Sequence, residues 1–523
     1  MQSSFTIFGR SQRSSLGGGC AYTYILLSLA FVIVNVLTLS NLAPWIDEVM
    51  FLDTSYNAAF HGSWATTAWY RVAGQYPFST YPPLYQMLAT VWMWLFGGSL
   101  VAVRSMNLLH TFVLGGACLR LMKCHGVVLT PWTAALFTML LWGTAEMAWM
   151  YRNGRPDMLC ALMFVCSIHA IDRWRLSPAP MNGDFLLITA KPCLYVILTS
   201  ALVLCSGVQA AVCLCAFWLF LFMVVKGGRG EAIRLLVLLL MGIFSGTLIV
   251  AFFMLAHGRL VAFASSIIQY SDTLSSLALV VLPRAGEVLG FSPTPYMQKL
   301  LELRTSSSLG ERLATIVQFR SFILLSVVAL AAYASCFRNK LSRLLGDRGF
   351  LSLLFALYVP VVMNLAGRFA IYYRWMAFLP LLVAITSIAA RCRLWRVVFA
   401  VVAMAMSALG IKSMLPDGHC DNNNLHTFVE RQHFKSSDAV VCPFSMFYEL
   451  KSVCDTCYFV GVFPAEFLGR VDYVIEAVDG DEYDLSITDY VNKLRADTTV
   501  VLTTVDHCEH PAITLYKVQK RYE

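Results

Sequence analysis

The sequence predicts a polytopic α-helical membrane protein with about 11 transmembrane helices, interfacial helices between some of them, and a small C-terminal α/β domain on the outer face. Two observations carry this. Of 523 residues, 58% are hydrophobic and only 13% charged, where a soluble domain carries about 25% charged, and the mean hydropathy is +0.65. The charge is also divided by position: residues 1–411 hold 29 Lys+Arg and 13 Asp+Glu, whereas residues 412–523 hold 10 and 18. The net charge of +8 therefore joins a basic, apolar part to an acidic one. A soluble enzyme, a disordered chain and a secreted disulfide scaffold are excluded.

Residues 1–20 read as a cytoplasmic tail, followed by an apolar run from Ala21 to about Leu39. That run exceeds the roughly 7–15 residues of a signal-peptide core, so it is expected to be an uncleaved anchor. Ten further apolar segments lie at 100–121, 127–149, 157–172, 186–206, 208–225, 232–256, 314–336, 349–366, 373–390 and 394–411, each near the ~20 residues that cross a bilayer. The pair at 186–225 must turn on a single Ser206-Gly207 break. The run 84–96 is too short to span and reads as an interfacial helix.

With the N-terminus inside, every inner loop is basic: Arg10 and Arg13, Arg120 and Lys123, Arg173 and Arg175, Lys226 and Arg229, Arg338 to Arg348, then Arg391 to Arg396. That agreement fixes the orientation. Eleven spans then put residues 412–523 outside.

Candidate chemistry collects on the outer face. The first outer loop, about 44–99, places Asp47 and Glu48 directly after a span, where ionisable groups are costly and face a cavity or a partner. One acid is explained by helix capping; two adjacent acids exceed what a cap needs. Five of the twelve tryptophans fall between Trp45 and Trp94, consistent with an interfacial aromatic belt. The loop then runs through Tyr81-Pro82-Pro83-Leu84-Tyr85 into the short helix.

The second outer loop, about 150–157, carries Arg152, Arg155 and Asp157, against the inner bias of the other basic residues. Arginine there suits an anionic phosphate, and a local Arg–Asp pair that closes the loop is the equal alternative. A long loop at about 257–313 suits a lid or a solvated connector. Arg368 and Arg374 sit at the last outer turn; Arg368 reads as a phosphate contact, Arg374 as that or a snorkelling residue.

Asp47-Glu48 after the first span, Tyr-Pro-Pro-Leu-Tyr opening an interfacial helix, and Arg155-Pro156-Asp157-Met158 in the second outer loop together resemble the GT-C glycosyltransferases. The likeness is greatest to the branch with the aminoarabinose transferases and protein O-mannosyltransferases. It covers residues 21–411 in topology. The resemblance implies a GT-C-like fold and transfer of a sugar from a polyprenyl-phosphate carrier to an acceptor glycan, lipid or protein. Asp47 matches the family's catalytic acid, with Glu48 as its neighbour, and Asp157 matches the second-loop acid. Tyr81, Arg152, Arg155, Asp157, Arg368 and Arg374 are the candidate substrate-binding residues. No ligand set demands a metal, although a divalent ion stays open, and the partners are the lipid donor, the acceptor and the bilayer, with no nucleic acid. A transporter or flippase of lipid-linked sugars, using Glu146 or His169 in mid-membrane, is the alternative. A non-catalytic assembly subunit is the third reading.

In the C-terminal part, 438–442, 471–476, 499–502 and 513–516 read as strands and Phe444–Lys451 as a helix. Its five cysteines, Cys420, Cys442, Cys454, Cys457 and Cys508, suit one or two disulfides in an oxidising compartment. A zinc site from Cys454, Cys457, His507, Cys508 and His510 is the lesser reading. No Asn-x-Ser/Thr occurs, which favours a bacterial cytoplasmic membrane over the endoplasmic reticulum.

Overall fold

In the computed structural model the chain is described over residues 16–41, 44, 46–66, 68, 81–176, 191–224, 229–261, 263–264, 320–337, 347–366, 373–412, 422–458, 471–477, 485–509 and 512–520. Helix α1 (Gly18–Thr38) is followed by α2 (Ile46–Phe60), α3 (Leu84–Phe96) and α4 (Leu100–Cys124). Thus α3 coincides with the predicted interfacial helix. Next come α5 (Pro131–Gly143), α6 (Ala145–Tyr151), α7 (Asp157–Leu176), α8 (Lys191–Ser206), α9 (Val208–Val224) and α10 (Arg229–Ala256). The helical part closes with α11 (Arg320–Phe337), α12 (Arg348–Ala366), α13 (Trp375–Arg391) and α14 (Arg393–Lys412).

Over their described residues the eleven predicted apolar segments are largely helical, and α1, α4, α10, α11 and α14 are long and apolar enough to cross a bilayer. One segment differs from expectation. The run 127–149 is two helices, because Thr144 adopts an extended conformation (ψ 133°) between α5 and α6. The carbonyl of Trp142 beside this break accepts a hydrogen bond from the Tyr151 hydroxyl at 2.5 Å, so the interrupted ladder is resatisfied locally.

Packing follows membrane rules, in which small residues let helices approach. A Cβ on Gly242 or Gly246 of α10 would lie 2.5 Å or 2.7 Å from the carbonyl oxygens of Ile197 and Ala201 on α8. The core between α7, α9, α12 and α13 is aromatic: Phe164 stands edge-on to Phe217 (5.9 Å) and Trp375 (5.8 Å), and Phe217 to Phe355 (5.3 Å). Such edge-to-face contacts add to burial alone.

The C-terminal part contains α15 (Asn422–Arg431), α16 (Phe447–Lys451) and α17 (Leu485–Ala496) with five strands: β1 (Ala439–Val441), β2 (Thr456–Tyr458), β3 (Tyr473–Ala477), β4 (Val500–Glu509) and β5 (Ala512–Lys520). They form one mixed sheet in the order β2-β1-β3-β5-β4. β1 pairs in parallel with β2 and β3, while β5 pairs antiparallel with β3 and β4. The four predicted strands are present; β2, α15 and α17 were not anticipated. Three-residue β2 is too short for its alternation to stand out in sequence.

This sheet does not stand apart from the helices. Val49, Leu52 and Tyr56 of α2 and Tyr85, Ala89 and Met93 of α3 share one buried cluster with Phe428, Val440, Phe447, Tyr448 and Leu450. Of the cysteines expected to form disulfides, Cys454 and Cys457 are free thiols. Cys454, Cys457 and Cys442 are instead buried as small apolar side chains. Cys420 and His510 lie outside the described residues.

Candidate active site

The site is assembled where α2 begins, α4 passes and the 152–156 turn leads into α7. Helix α2 starts at Ile46 and carries Asp47 and Glu48 in its first turn, where a negative charge complements the exposed N–H groups. Asp47 is thus inside the helix rather than capping it. Glu48 is fully buried. It receives a two-pronged hydrogen bond from Arg104 of α4, Nε to Oε1 at 2.8 Å and Nη2 to Oε2 at 2.6 Å. Its Oε1 also accepts from the backbone N–H of Gly154 at 2.9 Å, and Arg104 Nη1 donates to the carbonyl of Leu39 at 2.7 Å. A buried carboxylate and guanidinium are tolerated only when joined in this way.

Gly154 is dictated by this contact. A Cβ there would stand 2.2 Å from Leu52 Cδ1 and 2.8 Å from Glu48 Oε1. The turn it belongs to is fixed from a second side, since Asn107 Nδ2 donates to the carbonyls of Asn153 (2.5 Å) and Arg155 (2.8 Å). Helix α4 therefore clamps both the start of α2 and the 152–156 turn.

Arg155 is the hinge of the arrangement. Its Nη1 pairs with Asp47 Oδ2, and its Nε donates to Asp157 Oδ2 at 2.9 Å. Its guanidinium lies 5.5 Å from the centroid of the Phe51 ring. Burial alone would lower the pKa of Arg155, but the charges of Asp157 and Asp47 outweigh it and hold the pKa above the ordinary value. Exposure separates the three carboxylates: the side chain of Asp47 is 28% exposed, whereas those of Glu48 and Asp157 are 0% exposed. Asp47 alone among them meets solvent.

The remaining candidates divide. Tyr81 is at the site: its ring stands edge-on to Phe51 at 4.9 Å and its hydroxyl lies 3.9 Å from Cys160 Sγ. Arg152 is turned away, into α1, donating from Nη1 to Asn35 Oδ1 (2.9 Å) and Thr38 Oγ1 (2.8 Å) and from Nη2 to the Thr38 carbonyl (2.6 Å). In that pose it ties the 152–156 turn to α1. Arg374 is half-buried at the start of α13, within electrostatic reach of Glu146. Arg368 lies outside the described residues, as does most of 257–313. His169 bonds the Ala117 carbonyl at 3.0 Å.

Two residues that sequence reasoning passed over are central. Arg104 is a charged residue inside an apolar helix, and that was signal enough for an intramembrane partner. Lys451 of α16 is fully buried and lies 3.4 Å from Asp53 Oδ1 on α2; nothing local in the sequence announces it. Arg104 pairs with Glu48, and Arg155 pairs with Asp47 and with Asp157 Oδ2, while Asp157 Oδ1 is buried with no hydrogen-bond partner among the described residues. Among the described residues no three His, Cys, Asp or Glu side chains converge as metal ligands.

No family model matches the chain, and no curated protein matches it in sequence. Solved structures do match in fold. The archaeal oligosaccharyltransferase AglB from Archaeoglobus fulgidus, in complex with an inhibitory peptide and a dolichol-phosphate, superposes with a TM-score of 0.50 at 13% identity, covering 88% of this chain and 70% of that one. Its apo form gives 0.50 at 12% identity over the same shares. ArnT from Cupriavidus metallidurans bound to undecaprenyl phosphate gives 0.48 at 12% identity, covering 94% of this chain and 97% of that one. The chain is a membrane-type helical protein with a GT-C-like fold over most of its length.

Proposed function

We propose that this protein is a membrane glycosyltransferase that moves a sugar from a polyprenyl-phosphate carrier to an acceptor on the outer face, with eleven of its helices as bilayer spans. One observation carries the reading: in a GT-C-like fold, Asp47 keeps access to solvent at the mouth of a sealed ion-pair network. Asp47 is the general base. As the bond from the sugar's anomeric carbon to the carrier phosphate breaks through an oxocarbenium-like state, the acceptor heteroatom bonds to that carbon and its proton passes to Asp47. The electron pair of the broken bond leaves with the phosphate.

Glu48, Arg104 and Gly154 hold the start of α2 against the second loop, and Arg155 with Asp157 orients the Asp47 carboxylate. Arg374 and Arg368 are the arginines assigned to the leaving phosphate, whose growing charge a fixed guanidinium stabilises. Arg152 is assigned to anchoring rather than to substrate. The membrane is assigned to a bacterial cell envelope, with residues 412–523 outside.

The test is mass spectrometry of surface glycans and lipids from cells with the gene, without it, and with Asp47→Asn at normal membrane levels. Loss of the same sugar modification in the deletion and in Asp47→Asn supports the assignment. Full modification in Asp47→Asn overturns it, and build-up of the lipid-linked sugar on the inner leaflet would replace it with a flippase.

A further inference from the structure

Helix α4 connects two chemically distinct ends of the molecule. Arg104 near its start belongs to the candidate active site, and His125 follows its last turn. The 21-step separation from Arg104 to His125 spans about 30 Å at about 1.5 Å per residue, the thickness of a bilayer core. At this second end lies a half-open cavity of about 150 Å³ between α4, α7, α9, α12 and α13. Its walls are mainly apolar, including Cys118, Met122, Phe164, Phe217, Phe355 and Val383, and its ionic groups are His125, Asp172 and Arg348.

Those three groups form a relay. His125 Nε2 lies 2.6 Å from Asp172 Oδ2, and Arg348 Nη1 lies 3.0 Å from His125 Nδ1. A guanidinium only donates, so Nδ1 accepts and Nε2 carries the proton that Asp172 takes. The neighbouring carboxylates are matched as well: Glu231 pairs with Arg175 and Asp347 with Arg391. Arg120, Lys123, Arg173, Arg393 and Arg396 add further positive charge at these helix ends. The surface around the cavity is therefore strongly cationic while its walls are mainly apolar.

We propose that this cavity is a binding site for an anionic phospholipid of the leaflet opposite the candidate active site. Basic pockets between helices on the cytoplasmic side hold anionic headgroups, and a mostly apolar concavity of this kind suits a hydrocarbon group with a few polar groups at one end. The glycerol-proximal methylenes of one acyl chain fill that volume, and the phosphate meets the Arg348 end. The proposal depends on the membrane orientation but not on the transfer reaction, so either can fail alone.

The experiment is native mass spectrometry of the full-length protein released from nanodiscs holding equal phosphatidylglycerol and phosphatidylcholine with matched chains. The wild type is expected to retain one phosphatidylglycerol with at least a ~10-fold preference. Arg348→Gln is expected to bring the preference near parity, and Val383→Phe, which fills the cavity, to abolish retention. Ser352→Leu, a gentler filling of the same lining, serves if Val383→Phe does not fold. Equal retention of both lipids by the wild type overturns the proposal, as does an unchanged preference in Arg348→Gln and the filling variants. Undecaprenyl phosphate outcompeting phosphatidylglycerol at this site would also overturn it.

Discussion

Lys451 of the C-terminal part and Asp53 of α2 form an ion pair that is fully buried on both sides, Nζ to Oδ1 at 3.4 Å. Asp53 is held further by the Thr66 hydroxyl (2.7 Å) and the Ala68 N–H (2.9 Å) at Oδ2. Lys451 donates to the Asp455 carbonyl at 2.7 Å. The pair crosses from the sheet-bearing part to the helix that carries Asp47 and Glu48, so displacement of α16 is felt at the candidate active site.

Removing one partner of such a pair leaves an uncompensated buried charge, which costs about 3–5 kcal/mol. Lys451→Met is therefore expected to lower the thermal stability of the detergent-solubilised protein markedly. The double variant Lys451→Met/Asp53→Asn is expected to be less damaged than Lys451→Met alone, because the orphaned charge is gone. Strictly additive losses in melting temperature would show that the two side chains are not coupled.

Asp47 and Glu48 are neighbours in sequence and are expected to behave differently. Asp47→Asn should reduce sugar transfer by about 10²–10⁴-fold, the range for loss of a general base, with little change in melting temperature. Glu48→Gln should destabilise the fold, since Arg104 would lose its charged partner at 2.6 Å and 2.8 Å. Thermal melts and transfer assays on the same preparations separate the two effects; a stable, inactive Glu48→Gln would move the base to Glu48.

Gly154→Ala tests the close approach of the second loop to α2. The added methyl would meet Leu52 Cδ1 at 2.2 Å and Glu48 Oε1 at 2.8 Å, so overpacking of about 1–3 kcal/mol is expected. Transfer activity should fall with it, because the Gly154 N–H donates to Glu48. A variant with wild-type melting temperature and activity would argue that the turn moves freely.

A pH effect is expected at the α15–α16 contact. His426 Nδ1 lies 2.9 Å from Glu449 Oε2 and its Nε2 3.1 Å from Glu430 Oε1. The hydrogen bond and charge of Glu449, then Glu430, raise the His426 pKa above its ordinary 6.5. A raised folded-state value means that this contribution is complete below about pH 6.5 and is lost as pH rises through the folded value. Histidine-resolved NMR titration should show His426 above 6.5 in the wild type and lower in Glu449→Gln. An unshifted His426 in both would remove this contact from the account.

The two chemical regions were unequally legible. Apolar run lengths located the helices, because burying about 20 residues in hydrocarbon leaves a composition that survives any detail of packing. The scarcity of carboxylates made Asp47, Glu48 and Asp157 conspicuous, and the structure brings all three around Arg155, Arg104 and the 152–156 turn. The Thr144 break, by contrast, is decided by its backbone conformation in an otherwise continuous apolar segment.

Composition and charge alone pointed to a helical membrane protein with an acidic C-terminal α/β part and a pair of adjacent acids after the first apolar run. Only the tertiary structure decided the division of labour among them. Hydropathy and charge are summed along the chain, but burial depends on which distant side chain closes the other side. Arg104 lies 56 residues from Glu48 and Asp47 lies 108 from Arg155, separations at which no local pattern distinguishes a sealed carboxylate from one that faces solvent.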